Sequence, residues 1–226
     1  MSEPWVTFVI PVLNEAARIG VLLRDLRQRY PGCQLIVVDG GSSDGSVKAA
    51  LPLCDQLLLA ERGRARQMNL GGQAAAAPYV AFLHADSSPT VSLDVLRACL
   101  KSSPCWGFCH VRLDGNGRAM RIIEWCMNGR SRLTSVATGD QMLMVRNAVF
   151  RATGGFADLP LMEDVEYCKR LRRLAPPVIV AAPVMTSSRR WEQGGTAATV
   201  VRMWLLRLAY WLGVSPETLW RFYYER

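Results

Sequence analysis

Short, continuously apolar runs separated by amphipathic segments constrain this chain more than any other feature of its sequence. Residues 6–13 (VTFVIPVL) form the first run, and Asn14 can cap a following helix whose apolar positions Ile19, Leu22, Leu23, Leu26 and Tyr30 keep helical spacing. Pro31-Gly32 ends that helix, and Leu35 to Asp39 forms a second run that leads into the small-residue turn GGSSDGS and a short helix over 44–51. The pattern continues with a strand at 56–60, a helix at 65–76 and a strand at 79–83. Strands that are apolar throughout, alternating with helices, predict an α/β fold: a doubly wound, mostly parallel sheet covered by helices on both faces.

After Pro89 the pattern loosens. It predicts a helix at 91–102, strands at 105–112 and 141–146 around a helix at 118–129, and a helix at 162–174 that buries Val165, Cys168 and Leu171. Pro176-Pro177 breaks the last of these, residues 178–182 read as a strand, and two apolar helices fill 196–213 and 216–224. No linker, repeat or low-complexity stretch interrupts the series, so residues 1–226 are expected to form one domain.

Composition narrows the class. Half of the residues are hydrophobic, which excludes a disordered chain and a disulfide-stapled miniprotein. No run of eighteen uncharged apolar residues occurs, and the amino-terminal stretch lacks a signal-peptide pattern, so a cytoplasmic protein is expected. The seven cysteines include no C-x-x-C pair and only two histidines accompany them, which argues for buried thiols and against a zinc site. The net charge of +8 is uneven, with +1 in residues 1–117 and +7 in residues 118–226, so the second half favours an anionic partner. Basic residues interleave with aromatics only near the end of the chain and no nucleic-acid module is visible, so nucleic acid is not the expected partner.

In a doubly wound sheet, ligands bind beyond the carboxyl ends of the strands. Here those ends deliver Pro11, Asn14 and Glu15, then Asp39 with Gly40, Gly41, Ser42, Ser43, Asp44 and Gly45, then Arg62, Arg64 and Arg66, then His84 and Asp86. The competing interpretation makes Asn14 and Asp44 helix caps and the glycines turn formers. Neither a G-x-G-x-x-G nor a P-loop pattern is present, so phosphate must be held in another way. His84 and Asp86 stand two apart and share a face, and an imidazole with a carboxylate suits a divalent cation that also binds diphosphate oxygens. A lone strand-end histidine is as a rule structural; Asp86 beside a basic loop is what favours a ligand role.

Taken in order, the segments VIPVLNE (9–15), VVDGGSSDG (37–45), GRARQMNLG (63–71), HAD (84–86), GDQ (139–141), MED (162–164) and RRW (189–191) resemble glycosyltransferase family 2. They are most similar to its small single-domain members labelled arsenosugar-biosynthesis glycosyltransferases. The resemblance implies a GT-A fold and an inverting transfer of sugar from a nucleotide-diphosphate-sugar donor to an acceptor hydroxyl, assisted by Mg2+ or Mn2+. It makes residues 1–117 the nucleotide half and 118–226 the acceptor half. Pro11, Glu15 and Asp39 would line the nucleoside pocket, with Asp39 bonding the base, and Arg64 and Asn69 would help hold the nucleotide. Asp86 would ligate the cation, with His84 standing where the family's first aspartate is expected. Asp164, with Glu163 beside it, would be the catalytic base; Arg190 would face the diphosphate, and Asp140, Gln141 and Trp191 the acceptor.

The chemistry has a use for these groups. An acceptor hydroxyl is a poor nucleophile, so a carboxylate must take its proton as it attacks, and cationic groups must stabilise the departing diphosphate. The alternative for Glu163-Asp164 is favourable placement of negative charge at a helix amino terminus, worth under about 1 kcal/mol. Two functional alternatives remain: a nucleotidyltransferase, against which the lack of a G-x-G-x-x-x-R-type loop counts, and a non-catalytic protein that binds sugar nucleotides or a membrane surface. The segment 196–226 also has two readings. It either closes the core or lies at the inner face of an anionic membrane, where a lipid-linked acceptor would fit.

Overall fold

The computed structural model describes residues 3–115, 117–188 and 195–224. Four parallel strands, β1 (Thr7–Val12), β2 (Gln34–Asp39), β3 (Gln56–Leu59) and β4 (Tyr79–Phe82), lie in the order β3-β2-β1-β4. The sheet continues with β7 (Leu143–Arg146) antiparallel to β4, then β6 (Trp106–Leu113), β8 (Val178–Thr186) and β5 (Ser87–Pro89) at the edge. Only β6 and β8 run parallel within this second half.

Alternation along β1 shows how the sheet is covered. Phe8, Ile10 and Val12 meet Ile19, Leu22, Leu23 and Leu26 of α1 (Ala16–Arg29), and α2 (Ser46–Ala50) and α4 (Leu93–Lys101) join that face. Val9 turns to the other face, against α3 (Arg64–Ala74), α6 (Asn147–Thr153) and α7 (Glu163–Leu174). Each fully buried leucine, isoleucine or phenylalanine here contributes about 1.5–3 kcal/mol. Gly71 makes the close approach of α3 feasible, since a Cβ there would stand 2.4 Å from Val9 Cγ1.

The doubly wound α/β expectation is met. The strands expected at 105–112, 141–146 and 178–182 are β6, β7 and β8, although the pattern did not give their antiparallel pairing; the three-residue β5 and the helix α6 were not legible as elements. The helix expected at 118–129 runs on to Thr134 as α5 (Arg118–Thr134), and the pair expected at 196–213 and 216–224 are α8 (Thr196–Trp211) and α9 (Pro216–Tyr224). Leu206 and Leu219 enter the core, whereas Trp204 and Trp211 face outward, so core closure accounts for only one side of α8. No helix among the described residues is long and apolar enough to cross a membrane.

Candidate active site at the carboxyl edge of the sheet

Pro11 opens the crevice. β4 pairs with β1 only as far as Val9, where Leu83 N donates to Val9 O; the next ladder bond would need an amide hydrogen at residue 11, which proline lacks. The strands part there, at the point where strand order reverses. Gln67 of α3 braces the β1 and β2 ends, its Nε2 donating to Val12 O at 2.9 Å and Val38 O at 2.8 Å.

Asp39 closes β2 and is only 3% exposed. Its Oδ2 accepts from the Gly41 and Ser42 amides, both at 2.9 Å, while Oδ1 is buried without a partner. An unpaired buried carboxylate oxygen is costly, and a ligand donor such as a base N–H would satisfy it. The surrounding loops are stitched together. Asn14, at φ 58°, accepts from Ser43 N, the Glu15 amide donates to Ser46 Oγ, and Asp44 accepts from Ala16 N. Asp44 therefore caps α1 from the neighbouring loop, and Asn14 does not cap it.

The second cleft of the site gathers residues far apart in sequence. His84, Thr138, Gly139, Glu163 and Asp164 line it together. The 3-10 turn Gly139–Gln141 leads into β7 and packs on His84 so closely that a Cβ on Gly139 would stand 2.1 Å from the ring. His84 Nδ1 lies 3.6 Å from Asp140 Oδ1, and its Nε2 is buried without a partner. Asp164 bridges elements, accepting from Gly139 N at 3.0 Å and Val165 N at 2.7 Å. Met142 and Met162, at φ 46° and 69°, hold left-handed backbone next to the Asp140 turn and the Glu163-Asp164 pair; such conformations in non-glycine residues concentrate at functional sites.

Charge in this cleft is unbalanced by design of the fold. Burial and the adjacent Asp164 charge push the Glu163 carboxyl from an ordinary 4.5 up to about 7, although Arg64, 4.0 Å away, and His84 pull it down. Burial also raises Asp164, against the Gly139 and Val165 amides and the Arg64 and His84 charges. Arg130 of α5 was not singled out from the sequence. Burial lowers its pKa while Asp164 and Asp140 act to raise it, its Nε is buried and unpartnered, and an Nη donates to Ser131 Oγ at 3.0 Å. Nothing in its local sequence marked it, because the folding of α5 onto the β7 approach supplies its carboxylate neighbours.

Pro11, Glu15 and Asp39 thus stand at the carboxyl ends of β1 and β2, while His84, Asp140, Glu163, Asp164 and Arg64 gather around the second cleft. Glu15 begins α1 and pairs with Arg18 at 3.5 Å. Asp86 is half-buried and accepts from Ser87 Oγ at 3.3 Å. Two expectations are corrected. Asn69 uses both ends of its carboxamide on the Phe156 backbone, at 2.7 and 2.8 Å, and so ties α3 to that turn instead of presenting itself to a nucleotide. Gln141 is fully buried and bonds Ser131 and Thr138, so it shapes the turn and cannot touch an acceptor. Arg190 and Trp191 lie outside the described residues.

Residues 7–104 match the sequence profile of glycosyl transferase family 2. No curated protein sequence matches the chain significantly. Among solved structures, the fold is similar to a mannosyltransferase, PcManGT from Pyrobaculum calidifontis, in complex with GDP-Man and Mn2+: TM-score 0.60, 21% identity, covering 83% of this chain and 57% of that one. It is similar to S. aureus TarS residues 1–349 in complex with UDP, at TM-score 0.66 and 17% identity, covering 81% and 60%. It also matches glucosyl-3-phosphoglycerate synthase from Mycobacterium tuberculosis in complex with Mg2+ and UDP, at TM-score 0.57 and 16% identity, covering 81% and 70%. The chain spans less than two thirds of the first two. The chain is thus similar to glycosyl transferase family 2 in sequence over residues 7–104, and it shares the fold of these solved sugar transferases.

Proposed function

We propose that this protein transfers a sugar from a nucleoside-diphosphate donor to an acceptor hydroxyl with inversion at the anomeric carbon. The observation that carries the reading is the buried Glu163-Asp164 pair, which opens into the His84 cleft on the edge where Asp39 keeps an unpaired carboxylate oxygen. Asp39 accepts from the base, Pro11 and Glu15 flank the nucleoside, and Arg64 faces the diphosphate side. Asp164, fixed by two backbone amides, takes the hydroxyl proton as the oxygen attacks the anomeric carbon and the bond to the diphosphate breaks. Glu163, raised to about 7, holds the second proton-exchanging position of the pair. Arg64 and Arg130 offset negative charge as it shifts to the leaving group.

A divalent cation fits the residues present. Among the described residues no group of three His, Cys, Asp or Glu side chains forms a ready cage. Mg2+ needs only one or two protein carboxylates when substrate phosphates complete its shell. Asp86 would hold Mg2+ or Mn2+, which would neutralise diphosphate charge; it sits in the turn closed by Ser87 N donating to His84 O, so the two side chains do not share a strand face as the spacing predicted, and the buried, unpartnered Nε2 of His84 opens on the neighbouring cleft. Bound Mn2+ and Mg2+ in two of the similar structures support this assignment.

The acceptor side is the Asp140 flank, and the basic second half of the chain suits an anionic or lipid-linked acceptor at the cytoplasmic face of a membrane. The test is release of nucleoside diphosphate from a panel of UDP- and GDP-sugars with Mg2+ or Mn2+, with and without lipid-linked acceptors. Turnover of one donor supports transfer. Donor binding with no turnover on any acceptor would leave the binding-protein reading in its place.

A further inference from the structure

We infer that α5 and α8 together form a docking surface for an anionic lipid bilayer. The surface is read from side-chain exposure and charge and is independent of the transfer reaction. On α8 the outward positions Val201, Trp204, Leu205, Leu208, Trp211 and Leu212 fall at helical spacing, so a stripe about 16 Å long faces solvent with no polar residue in it. Trp204 is 68% exposed and Trp211 75%. A second outward stripe lies on α5, where Ile122, Trp125 and Leu133 are 63%, 77% and 89% exposed. The helices meet where Val200 of α8 packs on the cluster of Leu113, Met120 and Ile123. α9, which follows α8, also exposes Trp220.

A globular domain exposes scattered apolar residues, but not tryptophans and leucines aligned along neighbouring helices. Charge decides what covers them. Helices α5, α8 and α9 carry seven arginines against two glutamates; Arg130 turns into the Asp164 cleft and Arg121 pairs with Glu124, which leaves five arginines against Glu217. A second copy meeting this face would bring like charges together, whereas anionic headgroups complement arginines while tryptophans settle at the interface. Since no described helix can cross the bilayer, the surface lies on it. The arrangement also gives α5, whose Arg130 reaches the Asp164 cleft, one side towards lipid and one towards the candidate site.

The full chain, without donor or metal, should float with phosphatidylcholine vesicles that contain phosphatidylglycerol, bind poorly to phosphatidylcholine alone, and come off as salt is raised. Trp125→Ser and Trp211→Ser should each weaken partitioning by about tenfold, with thermal unfolding unchanged. Loss confined to Trp211→Ser would overturn the two-helix surface. Absence of anionic-vesicle binding at low salt would overturn lipid docking, as would a concentration-dependent dimer that both substitutions dissolve. A transfer assay that fails while vesicles still bind would count against the proposed reaction alone.

Discussion

Glu163 and Asp164 are adjacent carboxylates at the start of a helix, a placement that by itself needs no function, and burial is what changes their meaning. Only 5% of Glu163 is exposed, with Arg64 4.0 Å away. Asp164→Asn should leave donor binding nearly intact and slow sugar transfer by about 100-fold or more, measured as nucleoside diphosphate release. Wild-type turnover in that variant would move the base to Glu163. The raised Glu163 pKa also makes a stability claim. Between an unfolded value near 4.5 and a folded value of about 7, the native state binds the extra proton, so stability falls as pH rises through this window and the full cost applies above it. Glu163→Gln removes the charge, so its melting temperature should overtake that of the wild type between pH 5 and pH 8. An offset that stays constant with pH would contradict the burial argument. The residue types at this site were legible in the motif M-E-D; which oxygen meets Gly139, and that Arg130 joins them, depends on contacts between distant segments.

At the scale of elements, the apolar runs specified β1 to β4 and their helices because a strand buried on both faces needs no alternation to be recognised. β5 was invisible for the opposite reason. Ser87–Pro89 is three residues without a β-former, and it becomes a strand only because β8 supplies a partner, with Ser87 opposite Thr186. α6 likewise has seven residues, and Asn147 anchors it by donating to Ala75 O and Ala77 O. The motif G-D-Q marked the right turn but not its inward face, which is why Gln141 was assigned to the acceptor while Gly139 was overlooked. Gly139 is where that turn touches β4. Gly139→Ala must displace His84 or the turn, since the new Cβ would lie 2.1 Å from the imidazole. Transfer should drop by about tenfold or more, because even a displacement of about 1 Å at a reacting site costs this much, and a metal-dependence curve should shift with it. Unchanged turnover in Gly139→Ala would remove the turn from the site.

For the whole molecule, the uneven charge of +1 and +7 reads as a division of labour: a nearly neutral half that carries the proposed nucleoside pocket and a basic half that carries α5, α7 and α8. Sequence order alone carried the family resemblance and the sheet, since both depend on contiguous segments. The outward stripes were only half legible, because the spacing on α8 fits burial as well as exposure until the neighbours are known. The claim on which the account turns is that the crevice at Asp39 and the cleft at Asp164 together hold a nucleoside-diphosphate sugar. Calorimetric titration of UDP- and GDP-sugars into the wild type, Asp39→Ala and Asp86→Ala, with and without Mn2+, tests this most directly. The account predicts saturable binding of one donor, weakened about tenfold to a hundredfold by Asp39→Ala with or without metal, since a hydrogen bond to a charged group is lost, and weakened by Asp86→Ala only when metal is present. Binding that Asp39→Ala leaves unchanged, or no binding of any nucleotide sugar, would contradict it.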